Sequence, residues 1–122
     1  MRRALLFPLM LLVACDAPGP GFYGISKTEQ VVQGSRFTIR VNGRIAEVIR
    51  TNPEMFPRYE TIAARATIAV QRATGCTAAW VEGDPSVMMA GLACNGETPP
   101  AKPPRRRSIA CAIVTNTPFG SC

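Results

Sequence analysis

The stretch Arg36-Phe37-Thr38-Ile39-Arg40-Val41-Asn42-Gly43-Arg44-Ile45-Ala46-Glu47-Val48-Ile49-Arg50-Thr51 decides the fold. Phe37, Ile39 and Val41 alternate with Thr38, Arg40 and Asn42, the period of a half-buried strand. Asn42-Gly43 is a strong type I′ hairpin signal, because both residues tolerate positive φ. With that pair as the loop, Val41 faces Arg44, Ile39 faces Ala46 and Phe37 faces Val48. Most large apolar groups then share one face. Ile45 and Ile49 fall on the other, which asks for partial cover there too.

Downstream, Asn52-Pro53-Glu54 is a helix-start signal: a capping side chain, a proline suited to the first turn, and an acid at the positive end of the dipole. Pro57 interrupts it, so the main helix is expected from about Arg58 to Thr74. Tyr59, Ile62, Ala63, Ala66, Ala69, Val70 and Ala73 form its apolar stripe, and Gly75 ends it. The many alanines suit close packing on a sheet. Arg58, Arg65 and Arg72 recur on the opposite side. They suit either a basic stripe for lipid headgroups or, more plainly, a solvated face.

Thr77 to Val81 reads as a strand, Glu82-Gly83-Asp84-Pro85 as a turn and Ser86 to Cys94 as another strand. Met88 and Met89 then point to opposite faces, and Trp80 packs in the core or at its rim. The expected fold is α+β: a small antiparallel sheet of about four strands, in the order β-hairpin, helix, β-hairpin, with one packed helix. It occupies residues 34–94. A domain this small buries a limited share of its surface and often needs covalent staples.

Proline and glycine crowd the flanks. Asp16 to Gly24 reads DAPGPGFYG, an irregular segment, and residues 15–33 are expected to form a flexible tether. About 22 residues separate Cys15 from Phe37, a reach of about 70–80 Å if extended. Residues 95–122 form a tail. Its Pro-rich spacer to Pro104 is followed by Arg105-Arg106-Arg107, a short apolar run from Ser108 to Val114, and Cys122. The run fits either an added edge strand or a disulfide-closed lobe.

The chain opens with Arg2 and Arg3, then an apolar segment from Ala4 to Val13 that Pro8 interrupts. The segment is too short to span a bilayer as a helix and has the length of a secretory signal core. It ends in Leu12-Val13-Ala14-Cys15, which resembles the lipobox of bacterial lipoproteins. The resemblance covers residues 1 to about 16 and says nothing of the folded part. It implies removal of residues 1–14 and a thioether-linked diacylglycerol on Cys15. It also implies an acylated new amino terminus and a membrane anchor facing the periplasm. Two or three acyl chains hold firmly, where one gives only marginal attachment. Asp16 resembles the inner-membrane retention signal of enteric lipoproteins, a rule that varies among bacteria.

With Cys15 joined to lipid, Cys76, Cys94, Cys111 and Cys122 remain. An even number in an oxidising compartment suggests two disulfides, with three possible pairings. Cys76–Cys94 and Cys111–Cys122 are the favoured pair. There is no C-x-x-C, and zinc-ribbon spacing is absent.

Charge and chemistry narrow the function. The formal net charge is +6, and loss of Arg2 and Arg3 with the signal lowers it to +4. Arg105, Arg106 and Arg107 are candidate contacts to an anionic surface; nucleic acid does not fit an exported protein. The chain has no histidine, so Ser-His-Asp and Cys-His arrangements are excluded. Lys27 and Lys102 are the only lysines, and both lie in Pro-rich or tether segments. No phosphate loop or dinucleotide fingerprint occurs. Glu82 and Asp84 suit turn chemistry better than a catalytic pair or a weak calcium site. Trp80 alone is thin evidence for a carbohydrate platform. No catalytic residue, cofactor or metal is expected. The expectation is a non-catalytic envelope module that binds or scaffolds a partner at the membrane; a tethered ligand-binding or inhibitor domain is the alternative.

Overall fold

The computed structural model describes residues 16–104. Cys15, Arg105, Arg106, Arg107, Cys111 and Cys122 lie outside the described residues, and so does the proposed Cys111–Cys122 bridge.

Five strands and one helix follow in the order β1 (Lys27–Val32), β2 (Ser35–Asn42), β3 (Ile45–Arg50), α1 (Tyr59–Thr74), β4 (Thr77–Gly83) and β5 (Val87–Ala93). They form one antiparallel sheet in the order β1-β2-β3-β5-β4. The chain leaves β3, forms α1, lands on the far edge as β4 and returns as β5 between β4 and β3. The class is α+β, as expected, with five strands rather than about four.

The additional strand is β1, which falls in the segment read as a tether. Its apolar signal is weak: of KTEQVV only Val32 is buried. A tight turn at Gln33 (φ 49) and Gly34 (φ 87) joins it to β2, and both positive φ values suit a type I′ hairpin.

The second hairpin differs in register from the expected one. Asn42 pairs with Ile45, Ile39 with Val48 and Phe37 with Arg50, so the loop is Gly43-Arg44. Gly43 (φ 60) opens that loop, where a II′ turn requires glycine. The slip is two residues, so every side chain keeps its predicted face.

One face of the sheet meets α1. Phe37, Ile39, Ala46, Val48, Met88, Ala90 and Leu92 pack there with Ile62, Ala66, Ala69 and Val70 of the helix. Tyr59, Ala63 and Ala73, the rest of the predicted stripe, lean against that core half-buried. The helix begins at Tyr59, without a side-chain cap, and ends at Gly75 in the left-handed conformation.

Asn52 does not cap the helix. Its Oδ1 accepts from the Arg36 N–H (2.7 Å) and its Nδ2 donates to the Gly34 carbonyl (2.9 Å), so it fastens the first hairpin instead. Glu54 also looks inward: the Ser35 hydroxyl donates to Glu54 Oε1, and Arg65 Nη1 meets Glu54 Oε2 at 3.2 Å. Arg65 Nη1 also donates to Ser35 Oγ (2.9 Å), and Arg72 donates to the Val31 carbonyl (3.4 Å). Two of the three helix arginines therefore hold α1 to the β1–β2 end of the sheet.

Cys76 and Cys94 form the expected disulfide, with Cα atoms 4.6 Å apart. It joins the residue before β4, directly after the Gly75 cap of α1, to the residue after β5.

Candidate functional site

The second face of the sheet carries a buried cluster of charged side chains. Strand alternation puts Lys27, Glu29, Thr38, Arg40, Glu47, Ile49, Trp80, Glu82 and Met89 on the side away from α1. A helix-free face of this kind is usually wetted, yet Thr38, Arg40, Glu47 and Ile49 are buried. Two irregular segments lie on this side of the sheet and bond to Arg40 and Glu47 and to Trp80 and Glu82.

The first cover is the N-terminal strap, residues 16–25. Phe22 is 6 % exposed and is its apolar contribution; Tyr23 beside it is exposed. Phe22 N–H closes a local turn on the Gly19 carbonyl (3.0 Å). Gly19 N–H donates to Glu47 Oε1 (2.6 Å). A Cβ at Gly19 would stand 2.6 Å from that same oxygen, so any side chain there would force the Glu47 carboxylate to shift. Asn42 Nδ2 donates to the Gly21 carbonyl (2.9 Å).

Asp16 opens the strap and is held by three contacts. Lys27 Nζ donates to Oδ2 (2.7 Å), Arg40 Nη1 donates to Oδ1 (3.1 Å) and Arg40 Nη2 donates to its carbonyl (3.3 Å). Arg40 Nη1 also lies 3.7 Å from Glu47 Oε2. The arginine thus sits between two carboxylates, with its side chain 7 % exposed and that of Glu47 3 % exposed. Glu47 Oε2 has no hydrogen-bond donor of its own; the guanidinium charge is what faces it. Burial disfavours the ionised Asp16, but the Lys27 and Arg40 hydrogen bonds and charges outweigh it and hold the carboxyl below its ordinary 3.8. The Asp16 hydrogen bond and charge raise the Lys27 ammonium above its ordinary 10.5.

The second cover is the C-terminal strap, residues 95–104. Arg44 Nη1 donates to the Thr98 carbonyl (2.7 Å), Trp80 Nε1 donates to the Pro100 carbonyl (2.8 Å), and Lys102 pairs with Glu82. Trp80 lies flat over Gly91, where a Cβ would stand 2.7 Å from indole Cζ2 and closer still to Nε1 and Cε2.

Beyond the straps an open groove of about 530 Å³ is lined by Ile49, Arg50, Thr51, Asn52, Pro53, Ser86 and Val87. Its polar groups serve the fold. Arg50 donates to the Pro85 carbonyl (2.9 Å) and the Asn52 carbonyl (2.5 Å), and Asn52 holds the first hairpin. In the turn between β4 and β5, Asp84 Oδ1 accepts from the Ser86 (2.7 Å) and Val87 (3.1 Å) N–H groups. Glu82 and Asp84 are therefore occupied separately. Among the described residues no cluster of three or more His, Cys, Asp or Glu side chains is placed to hold a metal. No described helix is long and apolar enough to cross a membrane.

The sequence singled out Asp16, Lys27 and Lys102 only in passing and missed the Asp16–Arg40–Glu47 cluster. One signal was available. Arg40 and Glu47 are opposite charges in the two strands of the central hairpin, and they pair directly across β2 and β3. No protein family, curated protein or solved structure matches the chain.

Proposed function

We propose that this chain is a bacterial lipoprotein held in the membrane by acyl chains on Cys15 and facing the periplasm. Its folded part would act as a non-catalytic binding or scaffolding module of the cell envelope. The observation that carries the reading is Leu12-Val13-Ala14-Cys15, placed after Arg2-Arg3 and the apolar run to Val13. A thioether at that cysteine supplies firm attachment where the first apolar segment is too short to do so. The fold offers support from its polar groups: Arg50 at the groove and Glu82 and Asp84 at the β4–β5 turn are engaged in structural bonds.

Asp16, placed after the anchor cysteine, favours the inner membrane by its resemblance to a retention signal. Its carboxylate also serves the fold, so fractionation of inner and outer membranes decides the location. The test of the anchor is the intact, non-reduced mass of the protein extracted from its native membrane with a thiol-blocking reagent present. A chain starting at Cys15 with acyl chains and no blocked thiols is expected. A mass lacking lipid and starting beyond Cys15 would reject the anchor; crosslinking to envelope proteins then follows for a lipidated chain.

The groove beside Ile49 and Val87 favours the second reading, a tethered ligand binder. That reading requires a pocket-filling compound class that raises the melting temperature, with Val87→Arg abolishing the rise.

A further inference from the structure

We propose that the strapped face of the sheet is the surface this protein turns to an anionic lipid bilayer, and that its anchor is attached to that face without slack. The inference rests on the reading of Cys15 as the lipidated residue.

A lipid-anchored domain is usually free to tumble because an irregular segment separates anchor and fold. Here the corresponding segment belongs to the fold. Asp16 is fixed to Arg40 and Lys27, Gly19 to Glu47, Gly21 to Asn42, and Phe22 is buried. One peptide unit, about 3.8 Å between Cα atoms, separates Asp16 from Cys15. Whatever holds the Cys15 sulfur therefore holds the face on which Asp16 sits.

The other end of the described chain arrives on the same face. Thr98, Pro100 and Lys102 are tied in succession to Arg44, Trp80 and Glu82. Arg105-Arg106-Arg107 begins at the residue after Pro104. Near an anionic surface each such charge strengthens partitioning about fivefold. Lys27 and Lys102 are half exposed there, each beside an acid; Arg36 is exposed on the same face, and Glu29 counts against it. Val31 (57 % exposed) and Val87 (42 % exposed) add apolar contact. The helix side is the poorer candidate. Arg65 is engaged by Glu54 and Ser35, and Arg72 by the Val31 carbonyl, which leaves only Arg58 of that stripe.

The experiment uses isotope-labelled full-length protein, extracted from its native membrane and placed in nanodiscs of phosphatidylcholine and phosphatidylglycerol. A gadolinium-chelating headgroup lipid broadens amide signals near the bilayer. Amides of residues 27–31 and 87–89 and of Ala101 and Lys102 should broaden severalfold more than those of Ile68, Gln71 and Arg72, and the contrast should shrink without phosphatidylglycerol. Equal broadening of the two sets, or stronger broadening of α1, overturns the proposal. Insertion of Gly-Ser repeats between Cys15 and Asp16 leaves every described contact in place and should reduce the contrast; an undiminished contrast overturns the slack-free attachment.

The mass of the same sample reports on Cys15 separately. If Cys15 carries no acyl chain, the anchoring reading fails by itself. The orientation is then read on the Cys111→Ser, Cys122→Ser chain joined through the Cys15 thiol to a maleimide lipid. There the same order of broadening supports the proposal, and equal broadening overturns it.

Discussion

Gly91→Ala tests whether the C-terminal strap is held by the indole it crosses. Gly91 is buried in β5 opposite Trp80. The added methyl would stand 2.7 Å from Cζ2 and closer to Nε1 and Cε2, well inside van der Waals contact. The indole is the movable party, since Gly91 is locked in the ladder between β3 and β4. Overpacking of this kind costs about 1–3 kcal/mol. Displacing the ring also breaks the Trp80 bond to the Pro100 carbonyl, about 1 kcal/mol more. The sum, about 2–4 kcal/mol, lowers the melting temperature by roughly 10–25 °C for a domain of this size.

The protein supplies its own reporter, because Trp80 is its single tryptophan. The variant's native emission should move to longer wavelength and become more accessible to iodide as the strap lifts. Trp80→Ala completes the cycle: with the indole gone, Gly91→Ala should cost little, a coupling expected of groups in contact. Unchanged emission with a melting temperature within a few degrees of the parent would refute the reasoning, as would a full cost persisting in the Trp80→Ala background.

Cys76→Ala/Cys94→Ala opens a loop with a sequence separation of 18 and should cost about 3 kcal/mol in urea unfolding, with a steeper dependence on urea as the unfolded chain expands; a loss below ~1 kcal/mol would contradict the loop argument. Asp16 has a carboxyl held below 3.8 in the fold, so its stabilisation is present above the unfolded value and is lost as pH falls through the folded one. The parent's advantage over Asp16→Asn in melting temperature should accordingly be seen at neutral pH and vanish in strong acid; an advantage independent of pH would exclude the ion pairs as its source. Arg40→Met leaves Glu47 buried without its cation and should cost about 3–5 kcal/mol; Arg40→Met/Glu47→Leu should recover most of it, and a double variant as unstable as the single would show that the loss lies in packing.

Much of the α1 side of the fold was legible because its period is clean. The Tyr59–Ala73 stripe and the alternation of Phe37, Ile39 and Val41 fix which groups point inward, and a slip of two residues at the hairpin does not alter that. The Cys76–Cys94 bridge joins two element ends that the expected topology already brought close. The strapped side was hidden for physical reasons. β1 has polar residues at most positions and buries only Val32, so its strand signal lies in the Gln33-Gly34 turn rather than in its hydropathy. The N-terminal strap has the composition of a linker, and a single Phe22 does not announce a layer. Asn52 shows the same limit locally. Its capping chemistry is correct, but two backbone groups of the first hairpin, Arg36 N–H and Gly34 C=O, use its side chain first.

The two faces are sealed by different physics, and the difference bears on the proposed anchoring. Aliphatic packing under α1 tolerates small shifts, because apolar contact is not directional. A strap of proline and glycine cannot present a continuous apolar surface, so its position must be set by directional bonds. Arg40 between Asp16 and Glu47 supplies them. Burying that guanidinium and the Glu47 carboxylate carries a desolvation cost that their attraction need not exceed, so the cluster is weak evidence for added stability. Its effect is positional: Arg40, paired with Glu47 inside the sheet, donates to both Oδ1 and the carbonyl of Asp16 and so sets where that residue sits. An apolar replacement of Arg40 and Glu47 would therefore keep the sheet and helix while releasing the residue next to Cys15. In that protein folding and anchor geometry would come apart, and the bilayer contrast between strapped face and helix would fall although the melting temperature did not.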